Sequence, residues 1–168
     1  MNKLPYVQPE REVFYCLGIL LLVISALAET KKGKKVLTID KLQSFYFLAS
    51  RPDFLNSVLV LAGKTSLAID EVDYYTVETI SLNIDELFDR QRILQMIKIL
   101  SSKDYMDAGY SKTDGYFFNL TYEGHIAASK LEGSYFEKVR GFIERISAFQ
   151  SYSPNKINGY IKSVLVRG

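Results

Sequence analysis

Residues 83–131 run NIDELFDRQRILQMIKILSSKDYMDAGYSKTDGYFFNLTYEGHIAASKL, and their periodicity changes twice. Leu87, Phe88, Leu94, Ile97 and Leu100 recur at spacings that put apolar groups on one broad helical face. Asn83 followed by Glu86 suits the start of that helix, because each side chain can satisfy the other's free backbone amide. The spacing then predicts a hairpin: Met106 to Lys112, a turn at Thr113-Asp114-Gly115, and Tyr116 to Thr121. Asp114-Gly115 offers the positive φ values that a two-residue hairpin turn demands. In the return strand Tyr116, Phe118 and Leu120 share one side, and Phe117 and Asn119 the other. Thr121 can cap a second helix that begins at Tyr122 and carries Ile126, Ala127 and Leu131.

Helix, Gly109-Tyr110, hairpin, Phe118-Asn119-Leu120-Thr121, Gly124, Ala128 and Leu131 together resemble the winged helix-turn-helix pattern over about fifty residues. That resemblance implies a mainly α chain with a small β-hairpin (α+β). It also implies a winged helix-turn-helix-like core in residues 1–133 and a C-terminal helical extension in 134–168. It says more about fold than function, since such modules bind DNA in some families and proteins in others.

Bulk properties narrow the choices. The 168 residues are enough for one domain with a core of its own. With 48% hydrophobic and 24% charged residues, the chain is neither disordered nor plainly membrane-embedded. Net charge is only +2, so a nucleic-acid role would have to rest on a local patch. The single cysteine, Cys16, cannot form an internal disulfide and fits a reducing, cytoplasmic setting.

Residues 1–9, with Pro5 and Pro9, read as an arm leading to a helix over about Glu10–Glu29. Its apolar run, Val13 to Ala28, would make about 24 Å of helix. That is short of the roughly 30 Å hydrocarbon layer of a membrane. Glu10-Arg11-Glu12 in place of a basic leader also argues against a signal peptide. The expectation is a central buried helix or an interface between two copies. Thr30-Lys31-Lys32-Gly33-Lys34-Lys35 then reads as a solvated loop whose lysines suit a helix C-terminus. The sharper alternative is a phosphate-contacting loop.

Thr38 can cap a helix to about Ala49, with Leu42, Phe45, Tyr46 and Ala49 on one face. Ser50-Arg51-Pro52-Asp53 has the form of a cap for a third helix presenting Phe54, Leu55, Val58, Leu59 and Leu61. These two helices offer an alternative helix-turn-helix. Gly63-Lys64-Thr65 is not a phosphate loop, because Val58 stands where the earlier glycine is needed. Ser66–Ile69 and Tyr74–Ile80 suit short strands around Asp70-Glu71-Val72-Asp73, which lacks the spacing of a calcium loop. Farther on, Ser134 with Glu137 suggests a cap for a helix carrying Phe136, Val139, Phe142, Ile143, Ile146 and Phe149. Ser153-Pro154 opens a last helix with Ile157, Tyr160, Ile161, Val164 and Leu165 on one face. Such stripes are most simply core, and become partner-binding surfaces if the domain ends near Leu131.

No catalytic set emerges. His125 stands alone, far in sequence from Cys16, with no metal-ligand spacing. Cys16 lies among Phe14, Tyr15 and Leu17, unlike an activated nucleophile. Asp85, Glu86 and Asp89 are explained by a helix N-terminus. Asn119-Leu120-Thr121 matches a glycosylation acceptor by accident. No cofactor or metal is expected. Candidate partner-binding residues are Tyr110, Tyr116 and Phe117 of the hairpin with Phe142, Phe149, Ile157, Tyr160, Ile161 and Val164. Candidate nucleic-acid contacts are Arg90, Arg92, Lys98, Lys103 and Lys112. Asp85, Glu86, Asp89, Asp104, Asp107 and Asp114 lie among them, which leaves that surface near neutral and favours protein binding.

Over most of its length the chain resembles the middle component of bacterial three-component ABC systems, which include the Lamassu anti-phage defences. The matching features are the Pro-containing arm, Glu10-Arg11-Glu12 opening an apolar helix, and Leu37-Thr38-Ile39-Asp40-Lys41-Leu42. Arg51-Pro52-Asp53-Phe54-Leu55 and the Tyr-rich hairpin ending Asn119-Leu120-Thr121 complete them. The resemblance implies a non-enzymatic adaptor joining an SMC-like ABC ATPase to a nuclease-type effector in a cytoplasmic hetero-oligomer, with DNA reached through the complex. The competing expectation is a winged-helix transcription regulator, dimeric through the Val13–Ala28 helix. A membrane-anchored protein is the third.

Overall fold

A computed structural model of the chain describes residues 13–68 and 89–167. Among these residues it is mostly helical, with one two-stranded antiparallel hairpin, the mainly α (α+β) class that the sequence implies. The first helix, α1 (Val13–Leu27), buries Cys16, Gly18 to Ile24 and Leu27, and has no polar stripe to turn toward water. Each large apolar side chain taken fully out of water contributes about 1.5–3 kcal/mol, so Ile19, Leu20 and Ile24 favour the centre of the fold. At 15 residues α1 is the buried helix expected, and no described helix is long and apolar enough to cross a membrane. From Cys16 onward its large apolar residues are mostly covered by this same chain, while Val13 and Phe14 at its start are exposed. The two-copy interface that a dimeric regulator needs is therefore not available at the helix centre.

Thr38 caps α2 (Ile39–Ser50) by accepting from the Lys41 backbone N–H. Helix α3 (Pro52–Leu61) follows without a loop. Pro52 starts it, but Ser50 does not cap it. The Ser50 hydroxyl donates to the Tyr46 carbonyl at 2.6 Å and so belongs to the end of α2. Gly63 ends α3 at φ +66: its N–H reaches the Val60 carbonyl and the Lys64 N–H reaches that of Leu59. These paired bonds are a Schellman stop, which is the structural use of Gly63-Lys64. Ser66 to Ala68 form no strand. The expected strand Tyr74–Ile80, the acidic cluster at 70–73 and the Asn83–Glu86 cap lie outside the described residues.

Helix α4 (Arg90–Ser102) is capped by Asp89, whose carboxylate accepts from the Arg92 N–H at 3.0 Å. It buries Ile93, Met96 and Leu100, whereas Leu94 and Ile97 are only half-buried, so the inward face is rotated from the one expected. Asp104 takes the left-handed conformation at φ 62 to end the helix. The hairpin pairs β1 (Met106–Ser111) with β2 (Gly115–Leu120) in the register Met106↔Leu120 to Ser111↔Gly115. Its loop is thus three residues, Lys112 to Asp114, and not the two-residue turn expected. Only Gly115, the first residue of β2, takes positive φ there (76°), where the chain leaves the loop. Thr121 then caps α5 (Tyr122–Ser129) by accepting from the Gly124 N–H at 3.0 Å. The deep residues of α5 are Gly124 and Ala128, with Ile126, Ala127 and Leu131 half-buried.

Helix α6 (Ser134–Ile146) begins after Gly133, at φ 103, so Ser134 is its first residue and not its cap. A 3₁₀ turn (Ser147–Phe149) and α7 (Pro154–Arg167) complete the described chain. Ser153 does cap α7, accepting from the Lys156 N–H. Residues 134–167, expected as a C-terminal helical extension, pack onto the rest of the described chain. Helix α6 packs on α1 and α2, α7 packs on α2 and α3, and Phe136, Ile143, Phe149 and Ile161 join the same buried cluster as α1. The α1–α6 crossing uses Gly18: a Cβ there would stand 2.6 Å from the Phe136 ring.

Candidate interaction surfaces

The hairpin has two different faces because its side chains alternate. On one face the pairs Met106↔Leu120 and Ala108↔Phe118 run from the core outward, with Met106, Phe118 and Leu120 buried. The strands then outrun the core, so the next pair, Tyr110↔Tyr116, stands in solvent at 65% and 64% exposure. The two rings meet edge to face with centroids 5.1 Å apart. On the opposite face the Phe117 ring covers Gly109, where a Cβ would lie 2.3 Å from it, so only glycine admits that ring.

A second turn adds to this face. The chain from Lys35 runs along the free edge of β2: Phe118 N–H donates to the Leu37 carbonyl at 3.0 Å, and Thr38 bridges Phe117 antiparallel. Lys35 Nζ lies 5.4 Å from the Phe117 ring centroid. With Asn119 oriented so that its amide nitrogen donates to the Phe118 carbonyl, its oxygen accepts from Lys35 Nζ at 3.0 Å. The turn itself is closed by Thr30 N–H to the Lys34 carbonyl (2.9 Å), Gly33 N–H to the Thr30 carbonyl (2.8 Å), and a Glu29↔Lys35 bridge. Gln150 ties it down from behind, its Nε2 donating to the Leu27 and Glu29 carbonyls at 3.0 Å each. The Gln150 carbonyl in turn accepts from Lys41 Nζ at 2.8 Å. Burial, and after it the Lys34 charge, pulls the Lys41 ammonium below the ordinary lysine value, with Asp114 acting against them. The spacing-based reading missed this assembly, because the paired segments lie far apart in the chain.

The C-terminal candidates divide. Phe149, Ile157 and Ile161 are buried at 0%, 1% and 0% exposure. In this chain they are part of the core. Phe142, Tyr160 and Val164 are half-buried and pack against that core.

The five basic candidates do not make one surface either. Arg90 pairs with the Asp40 carboxylate. Arg92 turns inward, its Nη2 donating to Cys16 Sγ at 3.0 Å. Burial, and then Cys16 beside it, push the Tyr46 hydroxyl above the usual tyrosine range. Lys98 is exposed on α4, and Lys103 is exposed at its C-cap, beyond the last helical residue. Lys112 is exposed on the hairpin loop.

The arrangement defines a class before it defines a family: a small helical protein built around one buried helix, presenting a two-stranded arm. Residues 27–159, from the end of α1 into α7, match the family model "ABC-three component (ABC-3C) system Middle Component 4", and the chain belongs to that family. The match crosses residue 133 without a break, as the shared core does. No curated protein and no solved structure matches the chain. Membership makes it the middle component of a multi-component ABC system, a protein that works with partner subunits.

Proposed function

We propose that this chain is the non-catalytic adaptor of a bacterial anti-phage defence complex of Lamassu type, bridging an SMC-like ABC ATPase and a nuclease-type effector. The observation that carries the reading is the Tyr110–Tyr116 pair: two large rings held together on a rigid arm, outside the core. Aromatic side chains of this kind anchor protein interfaces, because they bury much area and lose little conformational freedom. The family's middle position supplies the context in which such an anchor is used. The edge pairing of Leu37 and Thr38 with β2 supports a winged-helix-like description of the core.

Co-expression with the proposed ATPase and effector subunits of its system tests the reading. The wild-type chain should purify with both. Tyr110→Ser with Tyr116→Ser should lose one of them while the chain itself stays folded. A double variant that retains both partners would remove the pair from the interface. A wild-type chain that purifies alone would end the adaptor reading.

A further inference from the structure

The Thr30–Lys35 turn cannot be explained as dipole compensation. Helix α1 ends at Leu27 with no basic residue in its last turn, and the first lysine comes only at Lys31. Neither is it a loose loop. Backbone bonds close it, Gln150 anchors it, and Lys35 is fixed against Phe117 and Asn119. That geometry leaves Lys31, Lys32 and Lys34 projecting into solvent from an ordered tip, and among the described residues none of the three is paired with a carboxylate. Gly33 at the tip is open, with nothing within 4 Å of where a Cβ would stand. Three ammonium groups within four residues therefore face water from one ordered turn, open to an anion.

We propose that this tip is a contact for the phosphate backbone of nucleic acid, with Lys31, Lys32 and Lys34 meeting phosphates and Lys35 holding the turn against the hairpin. Charge and shape decide the occupant. An acidic protein segment would need apolar pockets for anchor side chains. The tip consists of lysine, threonine and glycine and offers none. Phosphates need only point charges that approach freely, and lysine ammonium groups on an open turn supply them. Of the acids nearby, Asp40 is paired with Arg90, and Asp114, on the hairpin loop, acts on Lys41 together with Lys34. Glu29 and Asp107 are exposed at the foot of the turn, beside Lys35: Glu29 bridges Lys35 through the backbone, and Asp107 on β1 stands across from Asn119 on β2, so the lysines at the tip itself keep the excess of positive charge. The proposal differs from the α4 candidates Arg90, Arg92, Lys98 and Lys103, and it does not depend on the adaptor reading.

The test measures binding of a fluorescein-labelled duplex DNA of arbitrary sequence to the full chain by anisotropy across a salt series. Three phosphate contacts give a slope of log affinity against log salt of about −2 to −3. Lys31, Lys32 and Lys34 all changed to Ala should abolish that slope and weaken binding at least about tenfold at low salt. The same three changed to Arg should keep it, and Lys98→Ala with Lys103→Ala should leave it unaltered. Circular dichroism confirms that each variant is folded. No duplex binding by the wild-type chain, an unchanged slope in the triple Ala variant, or polyglutamate competing as well as DNA per charge would overturn the proposal. These readouts use the chain alone, so they fail separately from the co-purification that tests the adaptor.

Discussion

Gly124 lies so close to the Tyr105 carbonyl that a Cβ on residue 124 would stand 1.9 Å from that oxygen. The same oxygen accepts from the Thr121 N–H at 3.1 Å, so the end of α4, the hairpin and the start of α5 are locked at one point. Backbone cannot yield as a flexible side chain can. Gly124→Ala is therefore expected to destabilise the fold by about 1–3 kcal/mol. Gly141, in α6 with nothing within 4 Å of its missing Cβ, is the contrasting case. Gly141→Ala should stabilise by about 0.5–1 kcal/mol through helix propensity. Urea unfolding of the two variants decides; equal effects of one sign would refute the close approach.

Phe149 is fully buried and meets Tyr152 edge to face, with ring centroids 5.5 Å apart. If it were a partner anchor, Phe149→Ala would leave stability unchanged and weaken an assembly. As a core residue it should cost about 3–5 kcal/mol on truncation. Denaturant unfolding of the isolated chain measures this directly, and a loss below about 1 kcal/mol would return Phe149 to the surface.

Asp53, in the first turn of α3, has its Oδ1 buried without a hydrogen-bond partner. Burial raises its carboxyl above the ordinary aspartate value, against the opposing pull of backbone N–H groups and Arg51. The sign follows from linkage. A carboxyl whose folded pKa exceeds its unfolded one favours the fold while protonated, and that contribution is lost as pH rises through the folded value. Asp53→Asn should therefore melt higher than wild type near neutral pH. The advantage should fade below about pH 4, where both states of the wild type are protonated. A constant difference across that range would mean that charge is not the cause.

The parts legible in the sequence were those set by neighbours. The all-apolar run at Val13–Ala28 marked the buried helix, and Thr38, Thr121 and Ser153 were readable as caps because a cap acts on a backbone amide only three residues ahead. Alternation in Tyr116 to Leu120 gave the faces of β2. Long-range relations were hidden. Nothing near Leu37 announces that it will pair with Phe118, and nothing near Arg92 says that it will turn onto Cys16. A stripe such as Phe149, Ile157 and Ile161 declares an apolar face but not what covers it; here α2 and α3 help to do so. The basic turn was visible as four lysines, yet its order came from Gln150, which no local pattern connects to it.

The position of α1 in the chain has a consequence for biogenesis. Among the described residues, Ile19, Leu20, Val23 and Ile24 precede in sequence the elements that shield them, and α6 lies more than a hundred residues downstream. A growing polypeptide covers this sticky rod only in stages, first with α2 and last with α6, and the side still bare in between invites chaperone capture. For the same reason a nascent chain released before α6 leaves the α6-facing side of that rod exposed, so proteolysis would clear such fragments and favour finished molecules for joining partners.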